Sequence, residues 1–184
     1  MKNTYIAFLR GINVGGHHKV PMAELRKEME KLNFEKVETL LNSGNIIFDA
    51  VGDDVVGLEK TISAHLEKTF GFSIPTILRK SETIYELLDK DPFKEVILTK
   101  DIRLYVSFLR EDKETDLQLP WASDDNSFKI IDKYDKTIVS VLDLSIGKTP
   151  KAMGVLEKNF QKDNITTRNW NTIKRIENKL EASR

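Results

Sequence analysis

The chain has 184 residues, 40% of them hydrophobic, with 29 basic and 29 acidic side chains that cancel to a formal net charge of zero. That length and apolar content suit one large or two small folded domains and argue against disorder. There is no cysteine, which removes disulfides, cysteine-ligated zinc, iron–sulfur clusters and thiol nucleophiles, and fits a reducing compartment.

Met1-Lys2-Asn3-Thr4 is polar and runs straight into a strand pattern, unlike a signal peptide. No apolar run approaches the roughly 18 residues of a membrane span. A soluble, cytoplasmic protein without membrane association is expected.

The compact apolar run Tyr5-Ile6-Ala7-Phe8-Leu9 predicts a first strand over 4–9. Pro21 suits a first helical turn, and Met22, Leu25, Met29 and Leu32 then recur at helical spacing. Val37 to Leu41 reads as a second strand, Asn42-Ser43-Gly44-Asn45 as a turn, and Ile46-Ile47-Phe48 as a third strand. Val55, Leu58, Ile62, Leu66 and Phe70 mark a second helix, which Gly71 stops. Ser73 to Leu78 is a fourth strand. Ser81 caps a short helix through Leu88, ended by Asp91-Pro92.

The pattern then restarts. Residues 102–108 alternate as a half-buried strand should. Glu111 to Leu117 reads as a short helix or turn. Phe128 to Ile131 and Thr137 to Leu142 form a hairpin across Lys133-Tyr134-Asp135-Lys136. Ala152 to Phe160 is helical, and Ile165-Thr166 is a short strand. Trp170, Ile173, Ile176 and Leu180 are the stripe of a closing helix. The expected fold class is α+β: two ferredoxin-like βαββαβ halves with antiparallel sheets plus a C-terminal helix. The boundaries are 1–80, a linker helix in 81–100, and 101–184. No close sequence repeat links the halves, so element order alone suggests duplication.

The right-handed crossover rule makes strands one and two parallel, with strand three between them and antiparallel to both. The end of strand one then lies beside the start of strand three. Arg10 to Asn13 should therefore meet Ser43 to Asn45 at one sheet edge. The loop between them, Gly15-Gly16-His17-His18-Lys19, leads into a helix start. Glycines let backbone N–H groups approach a ligand, helix N-termini favour anions, and Arg10 and Lys19 add positive charge. Arg10, Asn13, Gly15, Gly16, Lys19, Ser43 and Asn45 are thus candidate ligand-binding residues. Arg168 and Asn169, from the run Thr167-Arg168-Asn169-Trp170-Asn171 that opens the last helix, are candidates to close the site. Thr167 or Asn169 is the expected cap of that helix.

Other chemistry is poorly supported. Adjacent His17 and His18 have no carboxylate at ligand spacing, so neither a metal nor another cofactor is expected. Gly147-Lys148-Thr149 echoes the end of a phosphate-binding loop, but the earlier glycine it needs is Leu142. A sheet face that stacks RNA bases needs exposed aromatics on its central strands. Tyr5 and Phe8 point to opposite faces, and strand three offers only Phe48. Residues 148–184 hold 9 basic and 4 acidic side chains, whereas 101–147 hold 6 basic and 10 acidic. The basic end keeps a nucleic-acid partner open, although Lys-rich helix ends also suit the helix dipole.

Four stretches carry a resemblance. They are Phe8-Leu9-Arg10-Gly11-Ile12-Asn13-Val14-Gly15-Gly16, Lys19-Val20-Pro21-Met22, Leu41-Asn42-Ser43-Gly44-Asn45-Ile46-Ile47-Phe48, and Thr167-Arg168-Asn169-Trp170-Asn171-Thr172. Together they resemble the signature of a bacterial family, the domain of unknown function 1697, over nearly the whole chain. The resemblance implies two ferredoxin-like halves and no established activity, substrate or cofactor. His17-His18 departs from the family's more usual Lys-Asn-like pair, and Gly147-Lys148-Thr149-Pro150-Lys151 from its Gly-Arg-Ser-Lys-like run.

The leading functional expectation is binding of a small anionic or phosphorylated ligand at the first-strand edge. One alternative is acyl or phosphoryl chemistry there, with His17, His18 and Asp49 as the titratable groups. The other is a nucleic-acid or protein-interaction module built on the basic C-terminal segment. The oligomeric state is left open.

Overall fold

A computed structural model describes residues 1–183; Arg184, the last residue of the basic segment, lies outside them. The chain forms two compact units. One comprises Met1–Glu86 and the chain from Ile176 onward, the other Leu87–Arg175. The described residues make a mixed α/β protein with two antiparallel sheets and five α-helices. No described helix is long and apolar enough to cross a membrane.

The first unit contains β1 (Lys2–Leu9), α1 (Met22–Lys31), β2 (Glu35–Leu40), β3 (Asn45–Val51), α2 (Val55–Phe70) and β4 (Thr76–Lys80), and α3 (Ser81–Lys90) begins in it. The sheet order is β2-β3-β1-β4, with every neighbouring pair antiparallel. β1 and β2 therefore run parallel with β3 between them, as expected from the sequence. Tyr5, Ala7 and Leu9 share one face of β1 because side chains alternate along a strand. With Ile46 and Phe48 they pack on Leu25 and Met29 of α1 and Ile62 and Leu66 of α2 in one apolar cluster. Tyr5 and Phe48 stack at 5.8 Å and are fully buried, as is Phe8. These aromatics present no open face to a nucleic-acid base.

Local chemistry sets the helix ends. Asp54 caps α2 by accepting from the Gly57 N–H at 2.9 Å, and Gly71 ends that helix in the left-handed conformation. Glu28 joins the two helices, with His65 Nε2 2.8 Å from its carboxylate. On edge strand β4, Leu78 N–H donates to buried Glu59 of α2 at 2.8 Å. That covers a donor which would otherwise invite strand pairing.

The second unit contains β5 (Ile102–Leu109), β6 (Trp121–Ala122), β7 (Phe128–Tyr134), β8 (Thr137–Asp143), α4 (Thr149–Phe160) and β9 (Ile165–Asn169). α5 (Trp170–Ala182) starts in it and finishes in the first unit. The order is β6-β7-β8-β5-β9. The expected β7–β8 hairpin turns at Asp135-Lys136, with Asp135 at φ +51°. Glu111 to Leu117 takes bends rather than a helix, so a loop and short β6 carry the crossover. Gly147 has no phosphate loop around it. Ser127 backs onto it so closely that a Cβ there would lie 2.4 Å from the hydroxyl.

The ladders reveal a repeat that element order only hints at. Tyr5-Ile6-Ala7-Phe8-Leu9-Arg10 and Tyr105-Val106-Ser107-Phe108-Leu109-Arg110 share the pattern Tyr-x-x-Phe-Leu-Arg. Ile6 faces Arg79 and Leu9 faces Thr76; correspondingly, Val106 faces Arg168 and Leu109 faces Ile165. The Arg10 N–H donates to the Pro75 carbonyl and the Arg110 N–H to the Asn164 carbonyl. The two halves use one register, each with a nearly buried arginine on its last strand, Arg79 or Arg168.

Ser140, on central β8, faces Tyr105 and Ile130. Its buried hydroxyl has no hydrogen-bond partner among the described residues. An unsatisfied buried hydroxyl is costly. Ser140→Ala is therefore expected to stabilise the protein by about 1 kcal/mol, read from urea denaturation. Loss of stability would mean that the hydroxyl is satisfied.

Candidate ligand-binding site

The loop from β1 to α1 and the turn from β2 to β3 do meet. Asn13 Nδ2 donates to the Asn42 carbonyl across that junction at 2.8 Å. The same amide donates to the Val20 carbonyl at 3.0 Å, and Asn13 Oδ1 accepts from Val20 N–H at 2.8 Å. Asn13 thus pairs with Val20 as a strand residue would. Its positive φ of 54° is one that asparagine tolerates.

Between these residues the chain folds back sharply. Val14 and His17 form a bridge, and Gly15 and Gly16 between them have φ of +58° and +79°. A two-residue turn with both central angles positive is the tight hairpin type that glycine serves best. His18 stacks on Phe72 at 4.3 Å, with Nδ1 3.1 Å from the Gly11 carbonyl. The His18 ring therefore sits in structural contacts, and no His/Asp/Glu group able to hold a metal occurs among the described residues.

In the facing turn, Asn45 is fully buried and donates to the Leu40 carbonyl at 2.8 Å and to Ser43 Oγ at 3.0 Å. The Gly44 carbonyl accepts from Leu9 N–H at 2.9 Å. Asp49 lies four residues further along β3, about 13 Å from Asn45 at strand rise. There it accepts from Thr4 Oγ1 at 2.7 Å and sits 3.6 Å from Lys36 Nζ. It belongs to the other end of the sheet from His17 and His18.

A shallow depression of about 380 Å³ opens beside the junction, lined by Asn13, Gly16, Lys19, Pro21, Met22 and Asn42 among others. Lys19 is exposed and forms no ion pair among the described residues. Pro21 precedes α1 without a side-chain cap, so the first N–H groups of α1 stay outside its ladder. Of the residues singled out in the sequence, Asn13, Gly16 and Lys19 line this depression, with Gly15 in the same turn. Ser43 and Asn45 build the facing turn, and Arg10, just after β1, is half-buried with its N–H on the Pro75 carbonyl. Asn42, Pro21 and Met22 line the depression without having been singled out.

Arg168 and Asn169 lie in the second unit, on β9 rather than in the closing helix, and α5 starts only at Trp170. β-branched Thr166 and Thr167 favour the strand, and Thr167 Oγ1 pairs with Ser107 Oγ at 2.7 Å. Arg168 donates to Thr166 Oγ1 at 2.9 Å and the Thr167 carbonyl at 3.1 Å. Burial lowers its pKa to about 10, so it remains charged at neutral pH but is turned away from solvent. Asn169 instead lines a cleft of about 510 Å³ within the second unit, together with Trp170, Asn171, Lys94, Arg103 and Lys174. Trp170 is 8% exposed, and its ring meets Phe93 edge-on at 5.2 Å. The run Thr167-Arg168-Asn169-Trp170-Asn171 and the basic bias of the C-terminal segment were the sequence signals for this cleft.

A family model described as "Protein of unknown function (DUF1697)" matches residues 2–134. The chain belongs to this family. The match contains the β1–α1 loop and the β2–β3 turn, while Thr167 to Thr172 lies beyond it. No curated protein matches the chain. Among solved structures, the conserved bacterial protein SP0830 from Streptococcus pneumoniae is similar over 96% of this chain and 97% of its own, at 24% identity and a TM-score of 0.61. That likeness concerns the fold.

Proposed function

We propose that this member of the DUF1697 family binds a small anionic or phosphorylated ligand at the junction of the β1–α1 loop and the β2–β3 turn. The observation that carries this reading is the depression beside α1. There an exposed Lys19, with no ion pair among the described residues, lines the depression together with Gly16 of the glycine turn and Met22 at the uncapped start of the helix. A lysine ammonium and free backbone N–H groups are complementary to an oxyanion. Asn13, Gly15, Ser43 and Asn45 hold the rim in shape. On this reading each half is a ferredoxin-like plait whose strand-end loops carry the site, and the cysteine-free chain suits the cytoplasm.

The test is thermal stability with inorganic phosphate and a sugar phosphate. A ligand at a hundred times its dissociation constant adds about 2.7 kcal/mol. For a chain this long that is a rise of roughly 5–10 °C. The rise should occur in the wild type and vanish in Lys19→Ala, whose exposed side chain is not needed for folding. No rise with any probe, or an equal rise in Lys19→Ala, would overturn the proposal.

A further inference from the structure

We propose that the second unit carries a separate site for a nucleoside monophosphate, in the cleft where α5 begins. The repeat locates this cleft. Tyr5 corresponds to Tyr105 and Arg79 to Arg168, so Thr4, Ser81 and Tyr85 of the first unit correspond to Leu104, Trp170 and Lys174 of the second. Those two sets line the two cavities, about 240 Å³ in the first unit and about 510 Å³ in the second. Both halves thus open a cavity at the same place, at the start of the first strand beside the helix that follows the last strand.

The contents differ in charge. In the first unit Asp49, opposite Thr4, supplies a buried carboxylate that pairs with Lys36 at 3.6 Å. In the second unit the residue opposite Leu104 is Val141. Three cations, Lys94, Arg103 and Lys174, line the cleft against one carboxylate, Asp91. Among the described residues none of the three cations forms an ion pair. Arg103 is instead braced by the Lys100 and Ile102 carbonyls, at 2.8 and 3.1 Å, through a single guanidinium nitrogen. Unpaired like charges around one concavity favour a dianionic group, and a phosphate meets that need.

The remaining wall calls for a flat apolar body with polar edges. Phe93, Leu98 and Leu104 line the cleft with Trp170. Asn169 and Asn171 each offer a donor pair and an acceptor, the complement of a base edge. The cleft volume falls in the range of small-ligand sites.

Trp170 and Trp121 are the two tryptophans of the chain, so Trp121→Phe leaves Trp170 as the reporter inside the cleft. Titration with adenosine monophosphate should change its emission saturably. Adenosine alone and inorganic phosphate alone should each bind at least about tenfold more weakly, since each lacks one half of the recognised chemistry. Lys174→Glu, on the exposed face of α5, should weaken the nucleotide by about tenfold or more, whereas Lys19→Ala should leave it unchanged. Thermal shift on the otherwise wild-type chain with and without Lys174→Glu gives the same comparison if Trp121→Phe fails to fold. No saturable response, an equal response to phosphate alone, or insensitivity to Lys174→Glu would overturn the proposal. Because Lys19→Ala tests the other site, failure of either proposal is read independently.

Discussion

Gly44→Ala is expected to lose about 3 kcal/mol of stability, lowering the melting temperature by roughly 10 °C. Two causes add. Gly44 has φ of +78°, which an L side chain adopts at a cost of about 1–2 kcal/mol. A Cβ would also lie 2.7 Å from Ile12 Cδ1 and 2.9 Å from Leu9 Cβ. Leu9 and Ile12 are both buried, and Leu9 N–H donates to the Gly44 carbonyl. The clash therefore falls on packed groups and a hydrogen bond at the junction. Gly11→Ala is the control. Gly11 has a similar φ of +73°, but a Cβ there meets nothing within 4 Å. It should lose only the backbone contribution, about 1 kcal/mol. Equal losses in the two variants would mean that the turn does not press on Leu9 and Ile12.

Asn13→Ala should be comparably damaging, at about 3 kcal/mol. It removes all three side-chain hydrogen bonds, two to Val20 and one to Asn42. Val20 is 2% exposed, so its freed N–H and carbonyl have little water to replace the lost partner. Asn13→Asp separates the contributions. The carboxylate still accepts from Val20 N–H but faces the Val20 and Asn42 carbonyls without a donor. It should therefore remain close to Asn13→Ala in urea denaturation. In both variants the Val20 amide should exchange with solvent faster than in the wild type. A near-neutral Asn13→Ala would show that the two loops hold together without this clasp.

Much of the first unit was legible. The strand β1, the helix α2 with its Gly71 stop and the turn at 42–45 follow from apolar spacing and turn residues. The crossover rule also foretold that Arg10–Asn13 and Ser43–Asn45 would meet, and the Asn13–Asn42 bond joins them. The use of the polar side chains was not legible. A loop without a ladder must satisfy its own N–H and C=O groups. Asn13 and Asn45 spend donors on backbone carbonyls that a sequence pattern does not display.

In the second unit, β9 extends through Thr167, one of the two residues expected to cap α5. β-branched threonines and a pairing partner in β5 outweighed the capping tendency of Thr167, while Asn169 directly precedes the first residue of α5. The Tyr-x-x-Phe-Leu-Arg repeat is short enough to pass unnoticed until the matched registers of β1–β4 and β5–β9 align it. The cleft at the start of α5 draws Lys94, Arg103 and Lys174 from three separated segments. No spacing rule along the chain brings those together.

The central claim, anion binding beside Lys19, is tested most directly by titrating the isotope-labelled protein with inorganic phosphate and following backbone amide resonances. Gly16, Met22, Ala23 and Glu24 should shift saturably, because their N–H groups lie in the glycine turn or at the uncapped start of α1. The amides of central strands β1 and β3 should stay in place. Saturable shifts at the turn and helix start that disappear in Lys19→Ala are the predicted result. Unchanged resonances there at saturating phosphate, or shifts confined to residues around Trp170, would contradict it.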